Sequence, residues 1–332
     1  MDPNEQVEFT APNMVEIVDR PVPEPGASDV LLETDLSLIS TGTEATILSG
    51  EFTDGTVWDS LYDYPLSPGY CNVGTVIETG DDVDDALVGR RVTSRTTHVR
   101  YAAVDREECV LIPEDVPTRD AAFLELGRLA LHSLRRGEVE LGHAIAVFGL
   151  GLVGHLLVQL CDAAGARPIF AFQTGAARRK YLPETSQVVG LDPSEDWKPT
   201  VERQTTGRGC DVVFETTGNA GAIETELDAL REEGRLVVVS SPTEPTDIDL
   251  HTVSRHSYDI VGAHVYHQPH APGAVDEWTA ERHADLFFDL VREGTLDVAR
   301  LVSHTAEYEN APMLYETILT NKSQTMGVLL DW

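Results

Sequence analysis

The chain has 332 residues, 42% of them hydrophobic, enough to fill two cores and so to fold as two domains. Its 56 acidic side chains outnumber 24 basic ones, a formal charge of −32 that repels nucleic acid and excludes it as a partner class. No run approaches the roughly 18 apolar residues of a membrane span, and the first residues have neither the basic nor the apolar part of a secretory signal, so a cytoplasmic protein without a membrane partner is expected.

Residues 1–115 carry β-branched runs separated by turn signals, at 30–33, 36–40, 74–80, 88–93 and 109–113, which predict a small β-rich domain. Residues 116–267 open on a helical pattern. From Ala144 strands alternate with helices, the strands at 169–172, 188–190, 211–214, 235–239 and 259–261, which is the rhythm of a doubly wound parallel sheet. Residues 268–332 hold a helix at 285–292, a strand-like 301–304, a helix at 311–320 and a last strand at 326–330, predicted to return to the first domain.

The most informative stretch is 144–154, where an apolar strand runs into Gly149, Leu150, Gly151, Leu152, Val153 and Gly154, a G-x-G-x-x-G turn. Leu152, Val153, Leu156, Leu157, Leu160 and Ala164 then share one helical face. Strand, turn and helix in this order form a dinucleotide site: the first glycine makes the tight turn, the second admits a pyrophosphate and the third packs helix on strand.

Other markers fall in register with this turn. Gly69, Tyr70, Cys71, Asn72, Val73 and Gly74, followed by Gly80, keep the glycine spacing of a G-H-E-x-x-G-x5-G signature. Ser40 to Glu44, the Val88 to Val92 turn, and Glu215, Thr216, Thr217 and Gly218 are further matches. Over almost its whole length the chain resembles the medium-chain dehydrogenase/reductase superfamily, the alcohol-dehydrogenase-like proteins. The resemblance implies an α/β protein with a GroES-like β-rich catalytic domain (1–115), a Rossmann cofactor domain (116–267) and a C-terminal return (268–332). It also implies NAD(P)-dependent oxidoreduction of a small-molecule substrate, and a homodimer joined through the sixth sheet strand near 259–266.

The departures from the zinc-dependent pattern are equally specific. Thr41 stands at the cysteine ligand position and Tyr70 at the histidine position; only Glu125 lies near a third ligand, and the four-cysteine lobe is missing between Arg91 and Tyr101. One carboxylate cannot hold zinc, so the resemblance is to a zinc-independent member with no metal, closest in look to the bacteriochlorophyllide-dehydrogenase-like subgroup. Tyr70 and Thr41 should then lie where substrate oxygen would have met zinc. Thr43 matches a proton-relaying hydroxyl, and Glu44 and Glu125 are carboxylates expected in the same cleft. Tyr70 is the candidate acid, against the alternative that its ring only fills the lost metal site.

On the cofactor side, the second sheet strand ends in the neutral Gln173 where NAD enzymes often place a carboxylate. Thr174, Arg178, Arg179 and Lys180 follow, which favours NADP(H) over NAD(H). Thr216, Thr217, Gly218 and Ser240 complete the expected cofactor wall. Hydride exchange with an alcohol or carbonyl is the first reading. Reduction of an activated C=C bond, and a nucleotide sensor without catalysis, are the alternatives.

Three features remain. His264, His267 and His270 lack an acidic or cysteine fourth ligand and are assigned no metal, and His98 is read as a surface or core histidine. The four cysteines are scattered, without a C-x-x-C pair, and read as buried thiols. Acidic excess spread along the whole chain, with lysine only at Lys180, Lys198 and Lys322, is the composition of a protein from a halophile, working in molar salt.

Overall fold

A computed structural model describes residues 3–269 and 278–332, and His270 lies outside the described residues. The chain divides into two units, Met1–Glu125 with Ala284–Arg292 and Asp297–Trp332, and Leu126–His283 with Glu293–Leu296. The junctions thus fall at 125 and 283, where the sequence placed them at 115 and 267. Phe123 belongs to the first unit because its ring packs on Gly327, where an added Cβ would come within 3.1 Å. Residues 279–283 belong to the second because Ala280 N–H donates to Pro269 O and His283 Nδ1 lies 2.9 Å from Gln268 Oε1.

The first unit begins with a hairpin of β1 (Asn4–Ala11) and β2 (Met14–Arg20). Next come β3 (Asp29–Ile39), helices α1 (Thr43–Ser49) and α2 (Val57–Leu61), β4 (Asn72–Thr79), β5 (Arg91–Ser94), β6 (Tyr101–Asp105), β7 (Val110–Leu111) and helix α3 (Thr118–Ala121). The two apolar runs at 30–33 and 36–40 are one strand, β3. Asp35 interrupts the hydrophobic pattern at a break in the pairing with β4, and its carboxylate accepts from Thr75 Oγ1 at 3.1 Å.

Helix α4 (Leu124–Arg136) leads into the second unit: β8 (Ile145–Phe148), α5 (Leu152–Ala163), β9 (Ile169–Phe172), β10 (Val188–Leu191), α6 (Lys198–Thr205), β11 (Cys210–Glu215), α7 (Ile223–Asp228), β12 (Leu230–Val238), α8 (Leu250–His256) and β13 (Asp259–Gly262). All six strands are parallel, in the order β10-β9-β8-β11-β12-β13. Strand order reverses between β8 and β11, the place where open α/β sheets bind ligands. Strand β13 stops at Gly262, earlier than the run to 266 suggested, and a 3₁₀ turn at Val265–His267 follows.

Helix α9 (Ala280–Arg292), β14 (Val302–Glu307), α10 (Ala311–Thr320) and β15 (Gly327–Asp331) complete the chain. The returning strands extend the first unit's sheet to β14-β15-β3-β4-β5-β7, with β6 also on β3. Register does the rest: Ser37 pairs with Asn72, Asn72 with Ser94, and Ile39 with Val328. The residues just after β3, just before β4 and just after β5 therefore leave the sheet at one end.

Candidate functional site

In the second unit the glycine turn is shaped as its spacing requires. Gly149 has φ +93°, and a Cβ there would lie 2.8 Å from Thr216 Oγ1; at Gly154 it would lie 1.9 Å from Gly149 O. A Cβ on Gly151 would meet only Arg178 Nη1, at 3.8 Å, so the backbone there is open to a close ligand. No side chain caps α5, whose first-turn N–H groups remain available to an anion. Leu150 and Leu152 are buried and Val153 half-buried, so between the glycines the backbone carries the site. These residues fit a nicotinamide dinucleotide.

The polar residues around the turn divide between holding it and facing outward. Gln173 Oε1 accepts from Leu150 N–H at 2.9 Å, and its Nε2 donates to Thr174 O, Thr174 itself being exposed. Thr216 Oγ1 donates to Phe148 O and Gly149 O, stitching β11 to β8. Glu215, matched in sequence but given no site role there, organises the next loop: Oε1 accepts from Thr217 N–H (2.6 Å), Thr217 Oγ1 (2.7 Å) and Gly218 N–H (2.9 Å), and Oε2 from Ser240 Oγ. The hydroxyls of Thr216, Thr217 and Ser240 thus brace the site.

The three consecutive cations separate in space. Arg178 reaches Gly151, and burial lowers its pKa. Arg179 donates to Gln173 O (2.8 Å) and to Asp192 Oδ2 (3.2 Å), and Lys180 lies over the Tyr181 ring. Asp192, at the end of β10, is a carboxylate the sequence reading missed. The Ser194 hydroxyl, with the N–H groups of Gly175 and Ser194, holds it down at about 2.

In the first unit the sheet end described above collects Ser40, Thr41, Tyr70, Cys71 and Arg95. Tyr70 O–H donates to Ser40 Oγ at 2.6 Å, with Thr43 Oγ1 at 3.4 Å. Burial, then the neighbouring Cys71, raises the phenol's pKa, so Tyr70 stays a neutral donor. Arg95 Nε lies 3.7 Å from Glu125 Oε2, so the carboxylate at the third-ligand position faces a guanidinium. Burial and then Glu125 push the Cys71 thiol well up, which keeps it protonated. A hydroxyl at 41, a phenol at 70 and a carboxylate beside an arginine are a poor donor set for zinc. Among the described residues no three His, Cys, Asp or Glu side chains are grouped to hold a metal ion.

Glu44 differs from expectation. Its carboxylate is buried and turned into the core, where it accepts from Ser40 N–H (2.7 Å) and the Tyr315 hydroxyl and lies 3.0 Å from His98 Nε2. A carboxylate so occupied cannot serve a substrate. Arg95 and His98 gave no local signal as members of this region; each arrives through the β4–β5 pairing and the turn that follows.

A family model described as zinc-binding dehydrogenase matches residues 153–291, a stretch that contains none of Thr41, Tyr70 and Glu125. (R,R)-butanediol dehydrogenase of Bacillus subtilis is 28% identical over 204 residues; the match covers 53% of this chain and 59% of that enzyme. A Sinorhizobium meliloti protein solved with NADP bound matches with a TM-score of 0.81 at 21% identity, and an Escherichia coli alcohol dehydrogenase complexed with NADH with 0.84 at 16%; both matches cover 100% of each chain. The shared fold therefore accommodates either nucleotide. Glycine turn, switch-point sheet and β-rich unit agree with these likenesses: the chain has the two-domain fold of the alcohol-dehydrogenase-like medium-chain dehydrogenase/reductases, to which it is similar, and is an NAD(P)-dependent enzyme.

Proposed function

We propose that this enzyme moves hydride between NADP(H), preferred to NAD(H), and an alcohol or carbonyl substrate without zinc, and that Tyr70 protonates the substrate oxygen. The observation that carries the reading is the Tyr70 O–H, held neutral and directed by Ser40 Oγ at the sheet end where the superfamily's metal ligands are replaced. When bound, the nucleotide supplies the hydride. The chain's own task is to orient the substrate and supply the proton. In reduction, an alkoxide forming on the substrate takes the Tyr70 proton, because even a phenol of raised pKa is a stronger acid than an alcohol. Ser40 Oγ and Thr43 Oγ1 set the phenol's direction, and Thr41 offers a second hydroxyl. Arg95 with Glu125 keeps the neighbourhood close to electroneutral.

The test is stopped-flow oxidation of NADPH with aldehydes, ketones and enones, comparing parent and Tyr70→Phe. Carbonyl reduction should fall by about 100-fold or more in the variant while NADPH affinity is unchanged. Equal rates would remove Tyr70 from the chemistry. Turnover of enones alone would replace the carbonyl reading with reduction of a C=C bond.

A further inference from the structure

Beside the Tyr70 site lies a polar chain, buried at Ser37, His98 and Glu44, that the hydride-transfer reading does not use. His98 Nδ1 is 2.8 Å from Ser37 Oγ and its Nε2 is 3.0 Å from Glu44 Oε2. Trp332 Nε1–H donates to Ser37 Oγ at 2.9 Å, and Glu44 accepts from Tyr315 and from Ser40 N–H. An indole N–H can only donate, so Ser37 Oγ is the acceptor there, and the arrangement that satisfies the whole chain gives the Ser37 proton to His98 Nδ1. His98 then carries its proton on Nε2, facing Glu44. With this tautomer every donor in the chain has an acceptor.

The Ser–His–Glu order imitates a hydrolase triad, but Ser37 is 0% exposed and already accepts from Trp332, so it offers no nucleophile. The chain leads instead to Tyr70, by two routes. Glu44 holds the backbone of Ser40, whose Oγ receives the phenol. His98 also supports the segment directly before Tyr70: its N–H donates to Pro68 O at 2.9 Å, and Gly69, at φ +105°, packs so closely that an added Cβ would lie 2.8 Å from His98 N.

The geometry points to His98 as a positioning residue for Tyr70, acting through Glu44 and Ser40 and fixed in its tautomer by Ser37 and Trp332. The inference rests on the reading of Tyr70 as the proton donor, but its test does not. 3-Fluorotyrosine is placed at position 70 of the full chain with NADP+ present, and its fluorine resonance is recorded in parent and variants. His98→Leu removes both ring nitrogens and leaves Glu44 short of a partner, so the resonance should move beyond its linewidth. His98→Gln should restore it, because the amide presents N–H to Glu44 and its oxygen to Ser37. Trp332→Phe, which keeps an aromatic ring against Tyr308 while deleting the N–H with part of the indole, should move the resonance in the same direction by less. It serves if His98→Leu fails to fold. A resonance unmoved in both His98→Leu and Trp332→Phe while melting temperature falls would overturn the inference and leave His98 a core residue. Failure of His98→Gln to restore the signal would overturn it equally. The resonance reports the phenol's surroundings whatever the phenol does, so a negative Tyr70→Phe assay is a separate result.

Discussion

Arg178 and Arg179 are neighbours in sequence with different duties, and cofactor choice turns on the difference. Arg179 is spent on Asp192 and the Gln173 carbonyl, whereas Arg178 extends to the open side of the glycine turn. By neutralising Asp192, Arg179 lowers the repulsion that this carboxylate would exert on a 2′-phosphate. Arg178 is then the cation best placed to distinguish the nucleotides. Arg178→Ala should weaken NADPH by about 10- to 100-fold, roughly 1.5–3 kcal/mol, and leave NADH nearly unchanged, as read by titration of nucleotide fluorescence. An equal loss for both nucleotides would put Arg178 on the pyrophosphate they share and end the case for NADP(H).

At the scale of elements, α7 carries a buried acid whose cost depends on pH. Glu226 is fully buried, and neither of its carboxyl oxygens has a hydrogen-bond partner. Burial and then the nearby Glu215 carboxylate push it up to about 9 from an ordinary 4.5. Below the ordinary value folded and unfolded chains are both protonated there and the penalty vanishes; as pH rises toward 9 only the folded chain still holds the proton, so stability is lost across that window. Glu226→Gln should therefore stabilise, by about 3 kcal/mol at pH 7 and by less at pH 5, in denaturant unfolding at fixed salt. A gain independent of pH would refute the titration. The same scale shows what was legible beforehand. The glycine turn, the strands at 169–172 and 259–261 and the helix at 311–320 could be read because local spacing dictates them. The β1–β2 hairpin was missed because its residues mix polar and apolar without strict alternation, and α1 because seven residues after a Thr-Gly pair resemble a turn. Arg95, His98 and Asp192 join their sites only through cross-strand pairing, which no local pattern records.

For the whole molecule, edge and charge set the expectations. Strand β13 is an edge of the parallel sheet, with Ile260 and Val261 half-buried and Tyr266 68% exposed just beyond it. Such an edge invites pairing, so a two-fold dimer through this segment is the arrangement we propose. Two copies of a chain of charge −32 repel strongly unless salt screens them, and at molar concentrations the Debye length is only about 3 Å. Light scattering should find a dimer in molar salt, with dissociation or a lower melting temperature as salt is withdrawn. A monomer at high salt would contradict the dimer, and a melting temperature indifferent to salt would contradict the halophilic reading. The central claim, hydride transfer without zinc, rests on the donor set of Thr41, Tyr70 and Glu125. It is tested most directly by the rate of NADPH-dependent carbonyl reduction before and after exhaustive dialysis against chelator, with zinc counted in the same samples. The account predicts an unchanged rate and far less than one zinc per chain. A rate abolished by chelator and restored by stoichiometric zinc would contradict it.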